Sequence, residues 1–119
     1  MSFSILIIDD SPVSRLMLAR ALPQGDFQLR EAGGGLQGLE MYQQEKADLV
    51  LLDLTMPGMD GFETLARLME TDPQAKVVVV SADIQAMAQA KVKKLGALDF
   101  VPKPCTQEKM GAVLKRMGF

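Results

Sequence analysis

Leu49-Val50-Leu51-Leu52-Asp53-Leu54-Thr55-Met56-Pro57-Gly58-Met59-Asp60-Gly61 is the stretch on which the fold turns. Its first four residues are all apolar and leave no polar face, the pattern of a short strand covered on both sides. The run stops at Asp53. Thr55 to Gly61 reads as a loop, with Pro57, Gly58 and Gly61 as breakers. Phe62, Leu65, Ala66 and Met69 then recur at the i, i+3, i+4, i+7 spacing of a helix, which Asp72-Pro73 ends.

The same strand–loop–helix unit appears on either side. Upstream, Ile5 to Ile8 is a second apolar run, ending at Asp9 and Asp10. Ser11 and Pro12 suit the cap and first residue of a helix. Met17, Leu18, Ala21 and Leu22 are expected on one face of it. Phe27 to Ala32 reads as a weaker strand near an edge, Gly33 to Gly35 as a loop, and Leu36 to Glu45 as a second helix. Downstream, Val77 to Val80 is a third apolar run, ending at Ser81. A helix is expected from about Ile84 to Leu95, closed by Gly96. Asp99 to Val101 is a short strand ending before Lys103, and Met110, Val113, Leu114 and Met117 give the last helix its face. Strict alternation with near-continuous apolar strands implies an α/β fold: a parallel sheet with helices on both faces, one domain over residues 1–119.

Composition narrows the function. A chain of 119 residues can bury a core without a disulfide or metal to hold it. Its net charge of −2 gives no general attraction to nucleic acid or to an acidic membrane. The longest apolar runs are far too short to span a bilayer, and Met1-Ser2-Phe3-Ser4 does not open a signal peptide, so the expected location is the cytoplasm. The single cysteine, Cys105, excludes an internal disulfide, and the absence of histidine excludes Ser-His-Asp and Cys-His triads and His-ligated zinc. The nine methionines read mainly as flexible core filler.

In an open parallel sheet, ligands bind beyond the carboxyl ends of the strands. Right-handed crossovers bring those ends to one edge. Here they carry Asp9 and Asp10, Asp53, Ser81 and Lys103. Taken singly, each has an ordinary explanation as a helix cap, a turn residue or a solvated charge. Together they converge three carboxylates, a hydroxyl and an ammonium. Clustered carboxylates stay ionised when a cation joins them. An oxygen-only donor set without His or Cys favours a hard ion, Mg²⁺ before Zn²⁺, with Mn²⁺ as a substitute. A carboxylate beside such an ion can attack phosphorus, while Lys103 neutralises charge and Ser81 donates a hydrogen bond.

Four motifs, Ile8-Asp9-Asp10-Ser11, Leu52-Asp53 through Gly61, Val80-Ser81-Ala82 and Val101-Pro102-Lys103-Pro104, resemble the receiver domain of bacterial two-component response regulators. The resemblance runs essentially the whole length of the chain and is similar to the single-domain, chemotaxis-type members. It implies a flavodoxin-like (βα)5 fold with strand order 2-1-3-4-5. It implies Asp53 as phosphoacceptor, with Asp10, Asp53 and the Thr55 carbonyl as Mg²⁺ ligands and Asp9 holding the ion through water. Ser81 and Lys103 match the residues that engage the phosphoryl group, Thr55 and Asp83 the positions that tune phosphoryl lifetime, and Phe100 the aromatic switch position, with a plain core residue of the last strand as its other reading.

The implied donor is a histidine kinase, a histidine phosphotransfer protein or a small acyl phosphate. The implied output is a changed face of the fourth helix, fifth strand and fifth helix, read by a downstream protein. Lys91, Lys93 and Lys94 lie on or beside that face, either as contacts for an acidic partner or as a solvated surface. Direct binding to nucleic acid or membrane is not expected. Three features depart from the commonest pattern: Phe100 lacks a tyrosine hydroxyl, Cys105 stands where a large apolar residue is frequent, and Gly33 to Gly35 loosens a loop. Three other readings compete. A haloacid dehalogenase-type hydrolase needs a second Asp where this chain has Thr55. A flavin module needs a hydroxyl- and glycine-rich loop where this chain has Asp9 to Pro12. A receiver-like binding module independent of phosphorylation would not need the acidic set.

Overall fold

The computed structural model describes residues 3–23, 25–56 and 58–119. Pro57, read above as a breaker, and Met1-Ser2 of the N-terminus lie outside the described residues. Ten elements alternate: β1 (Phe3–Ile8), α1 (Pro12–Ala21), β2 (Phe27–Ala32), α2 (Gly35–Gln44), β3 (Leu49–Leu52), α3 (Gly61–Thr71), β4 (Val77–Ser81), α4 (Ala86–Leu95), β5 (Asp99–Pro102) and α5 (Gln107–Arg116). The strands form one parallel sheet in the order β2-β1-β3-β4-β5. The expected strand order and the edge position of β2 are both found.

Side-chain alternation explains why the apolar runs are continuous. Leu6, Ile8, Val50, Leu52, Val77 and Val79 point to one face, where they meet Leu39 and Tyr42 of α2, Leu65 and Leu68 of α3, and Ala88 and Val92 of α4. Ile5, Ile7, Leu49, Leu51, Val78 and Val80 point to the other, against Leu18 and Ala21 of α1 and Met110, Val113 and Leu114 of α5. A strand buried on both faces needs an apolar residue at every position.

Several local expectations shift. On α1 the buried stripe is Leu18 and Ala21; Met17 is 53% exposed, because a short helix on a sheet buries a narrow strip and Met17 lies beyond it. On α3 the fully covered face is Gly61, Thr64, Leu65 and Leu68, with Phe62, Ala66 and Met69 flanking it. Met56 and Met110 are buried, and Met41, Met59, Met69 and Met117 pack against the core, but Met87, like Met17, faces solvent. Helix α4 begins at Ala86, two residues later than expected, and leaves Ile84 exposed. Gly96 closes it in the left-handed conformation, at φ +113°.

Gly61 is the first residue of α3 rather than a breaker. A Cβ there would stand 2.3 Å from the Asp53 carbonyl oxygen and 2.4 Å from the Leu54 Cα. The absent side chain lets α3 start directly against the backbone that carries Asp53. Asp60 caps this helix by accepting from the Glu63 N–H at 2.9 Å.

Candidate functional site

Strands β1, β3 and β5 each place the residue that follows them at the same edge of the sheet. Asp9 follows β1, and its backbone N–H donates to the Ala32 carbonyl at the end of β2. Asp53 follows β3, and its N–H donates to the Ile8 carbonyl at 3.0 Å. Lys103 follows β5, and its N–H donates to the Ser81 carbonyl at 2.9 Å. Parallel pairing thus locks neighbouring strand ends together before any side chain acts.

Asp9, Asp10 and Asp53 each present a carboxylate oxygen within 4.8 Å of the others'. Asp9 is wholly buried, Asp53 is 5% exposed and Asp10 faces solvent. Lys103 Nζ lies 3.1 Å from Asp9 Oδ2 and 3.4 Å from Asp53 Oδ1, so one ammonium bridges the two buried carboxylates. Burial lifts the Asp53 carboxyl above the ordinary range, with the Asp9 charge adding to it; the Lys103 charge and a backbone hydrogen bond from Thr55 pull the other way. Three acidic groups and one fixed cation leave the cluster short of positive charge, and a divalent ion would supply it. The donor set fits a hard ion: oxygen ligands, one side open to solvent through Asp10, and no His in the chain.

The structure therefore brings together Asp9, Asp10, Asp53 and Lys103. Thr55 is exposed just beyond Asp53. Ser81 is buried at the end of β4, and its hydroxyl accepts from the Asp83 N–H at 3.1 Å. Phe100 is half-buried on β5, packed against the core on the α4 side of the sheet. It lines a cavity of about 310 Å³ between α4 and β5, with Val92, Lys93 and Asp99. Of the three lysines, Lys93 borders this cavity, while Lys91 sits 4.3 Å from the ring centroid of Phe62 on α3. Cys105 is half-buried against the α1–α5 side of the core, which raises its thiol above the usual range and makes it a poor nucleophile.

Two further residues of the site were not read from the sequence. Ser14 donates its hydroxyl to Asp9 Oδ2 at 2.5 Å. Arg15 donates from Nη1 to the Asp9 carbonyl at 2.6 Å and from Nε to Glu31 at 2.9 Å, tying the turn after β1 to the end of β2. The available cue was the Ser11-to-Ser14 spacing, since the third helical residue can reach back past the cap.

A five-stranded parallel sheet with an acidic cluster and a lysine at its carboxyl edge defines a phosphoryl-accepting receiver. The family model for the response regulator receiver domain matches residues 5–115, and the chain belongs to that family, the phosphorylation-activated switches of two-component signalling. It is 40% identical to the chemotaxis protein CheY of Listeria monocytogenes serovar 1/2a, over 94% of this chain and 95% of that protein. It is 34% identical to the sporulation initiation phosphotransferase F of Bacillus subtilis, over 98% of this chain and 94% of that one. Its structure matches a chain of the CheX–CheY–BeF3–Mg²⁺ complex from Borrelia burgdorferi with a TM-score of 0.92 and 29% identity, covering 98% of this chain and 90% of that one. These likenesses do not favour the hydrolase or the phosphorylation-independent alternatives. The chain is a receiver-domain signalling protein, and receivers generally bind Mg²⁺ at an acidic pocket of this kind. Among the described residues, no helix is long and apolar enough to cross a membrane.

Proposed function

We propose that residues 1–119 form one receiver domain that accepts a phosphoryl group on Asp53, with a sensor histidine kinase, a histidine phosphotransfer protein or a small acyl phosphate as donor. An Asp53 carboxylate oxygen forms the new P–O bond as the donor's bond to phosphorus breaks, and the donor leaves with that electron pair. Asp10, Asp53 and the Thr55 carbonyl, with Asp9 through water, would hold Mg²⁺, which when bound would supply positive charge against the phosphoryl oxygens. Lys103 pairs with a phosphoryl oxygen and Ser81 donates a hydrogen bond to another. Ser81 and Phe100 then carry the change to the face made by α4, β5 and α5, which a downstream protein reads. Thr55 and Asp83 flank the group and set how fast water removes it, so the chain also dephosphorylates itself. The reading places the chain in the cytoplasm, with protein partners and no direct contact with nucleic acid or membrane.

The observation that carries this reading is the Lys103 ammonium between Asp9 and Asp53, beside an Asp10 open to solvent. Incubation with acetyl phosphate, with and without Mg²⁺, followed by intact-mass measurement tests it. The expected result is a Mg²⁺-dependent gain of one phosphoryl group, absent in Asp53→Asn. A chain that takes no phosphoryl group under either condition is not a working receiver.

A further inference from the structure

We propose that Ser14 is a positioning residue for phosphoryl transfer: its hydroxyl holds the Asp9 carboxylate so that Lys103 is free to leave Asp9 for the phosphoryl group. The proposal rests on the phosphoryl-accepting reading given above. Ser14 stands in the first turn of α1, three residues after its cap, and its N–H donates to the Ser11 hydroxyl at 3.2 Å. A side chain at this third position ordinarily reaches back to the N–H of the cap itself. Here Asp9 Oδ1 already accepts from the Ser11 N–H at 3.0 Å, and the Ser14 hydroxyl goes to Asp9 Oδ2 instead, at 2.5 Å.

The consequence lies in how Asp9 is satisfied. A carboxylate offers about four acceptor sites. On Asp9, which is wholly buried, Ser11 N–H fills one on Oδ1, while Ser14 Oγ and Lys103 Nζ fill two on Oδ2. A phosphoryl group on Asp53 draws Lys103 away. Without Ser14, Oδ2 would then be a buried oxygen with no protein donor, which is expensive, and Lys103 would stay tethered to it. With Ser14 in place, Oδ2 keeps a neutral donor throughout, and the carboxylate keeps the orientation it needs to hold an ion through water. A cavity of about 30 Å³, lined by Ser14, Met17, Leu18, Lys103 and Cys105, leaves room for the extra methyl of a threonine. Ser14→Thr therefore retains the hydroxyl with little crowding, whereas Ser14→Ala removes it.

Two measurements on the full chain test this. Calorimetric titration of Mg²⁺ into the unphosphorylated protein reads the Asp9 orientation. The rate of acetyl phosphate-driven mass gain at saturating Mg²⁺ reads the release of Lys103, and it is measured with Lys103 present and in Lys103→Ala. The expected result is that Ser14→Ala weakens Mg²⁺ binding and slows phosphorylation, each by roughly tenfold. Ser14→Thr restores both. In Lys103→Ala, the added Ser14→Ala costs no further rate, because two residues acting as a unit are non-additive. Equal losses with and without Lys103, or unchanged affinity and rate in Ser14→Ala, overturn the proposal while wild-type acceptance leaves the receiver reading standing. Failure of the wild type itself to accept phosphate removes both.

Discussion

Asp53 sits where a carboxylate is least comfortable without a cation. It is nearly enclosed, it faces Asp9, and its carboxyl is held above the ordinary range chiefly by burial. The sign of the pH effect follows. A folded carboxyl with a raised pKa binds its proton more tightly than the unfolded chain does, so its contribution to stability falls as pH rises from the ordinary carboxylate range through the folded value. Above that window the ionised Asp53 strains the metal-free fold. Asp53→Asn in Mg²⁺-free buffer is therefore expected to raise the thermal midpoint at pH 7 by about 4 °C, with the gain shrinking as pH falls into the carboxylate range. Mg²⁺ should stabilise the wild type more than the variant. Scanning calorimetry across pH decides it, and a variant that melts at or below the wild type at neutral pH would show that the cluster carries no such strain. At this scale the sequence exposed Asp9, Asp10, Asp53, Ser81 and Lys103, because each follows an apolar run. Ser14 and Arg15 stayed hidden because they act through side-chain reach from a helix turn, and the Ser11-to-Ser14 spacing hints at a reach back past the cap without marking Asp9 as its target.

Between elements, polar ties decide how the helices hold the sheet. Tyr42 of α2 is buried, and its hydroxyl donates to Asp72, the residue that ends α3, at 2.7 Å. Asp72 also accepts from the Gln74 N–H and pairs with Lys46 at 3.4 Å. The Tyr42 bond comes first among the influences that hold the Asp72 carboxyl below its usual range, and burial pushes the Tyr42 hydroxyl upward. A depressed folded pKa contributes stability above the ordinary carboxylate range, lost as pH falls toward the folded value. Tyr42→Phe should accordingly lower the thermal midpoint by about 4 °C at pH 7 and by less in acid, read by circular dichroism. A pH-independent deficit would mean that packing, not the hydrogen bond, was lost. This pair was invisible in the sequence, since Tyr42 and Asp72 are far apart and both fit unremarkable helix patterns. The elements themselves were legible, as apolar runs on a two-faced sheet have few other interpretations. The edges were less so: Gly61 looked like a breaker because its close approach to Asp53 is a tertiary fact, and the covered α3 face takes in Leu68 rather than Met69 because α3 packs between α2 and α4 as well as on the sheet.

Across the whole molecule, a short run of hydrogen bonds leads from Ser81, at the end of β4, into the start of α4. The Ser81 hydroxyl accepts from the Asp83 N–H, and the Asp83 carboxylate accepts from the Gln85 N–H, both at 3.1 Å. Gln85 caps α4 without a side-chain bond of its own. The helix it opens buries only Ala88 and Val92, against four buried positions on α3. Helix α4 is thus lightly held, with a cavity alongside Phe100, and Ser81 anchors the loop that leads into it. Turning the Ser81 hydroxyl toward a phosphoryl oxygen would take the acceptor from the Asp83 N–H. One hydrogen bond of about 1 kcal/mol corresponds to roughly fivefold in a local opening equilibrium. Phosphorylation should therefore speed amide exchange across residues 83–92 by about that factor, while β1 and β3 stay protected. In Ser81→Ala the tie is already missing, so those amides should exchange fast before phosphorylation and change little after it. Hydrogen-exchange mass spectrometry on wild type and variant, with the Asp53 adduct confirmed by mass, separates the outcomes. Unchanged exchange at 83–92 in phosphorylated wild type would place the output elsewhere than α4. Equal acceleration in Ser81→Ala would mean that the group on Asp53 reaches α4 without passing through Ser81.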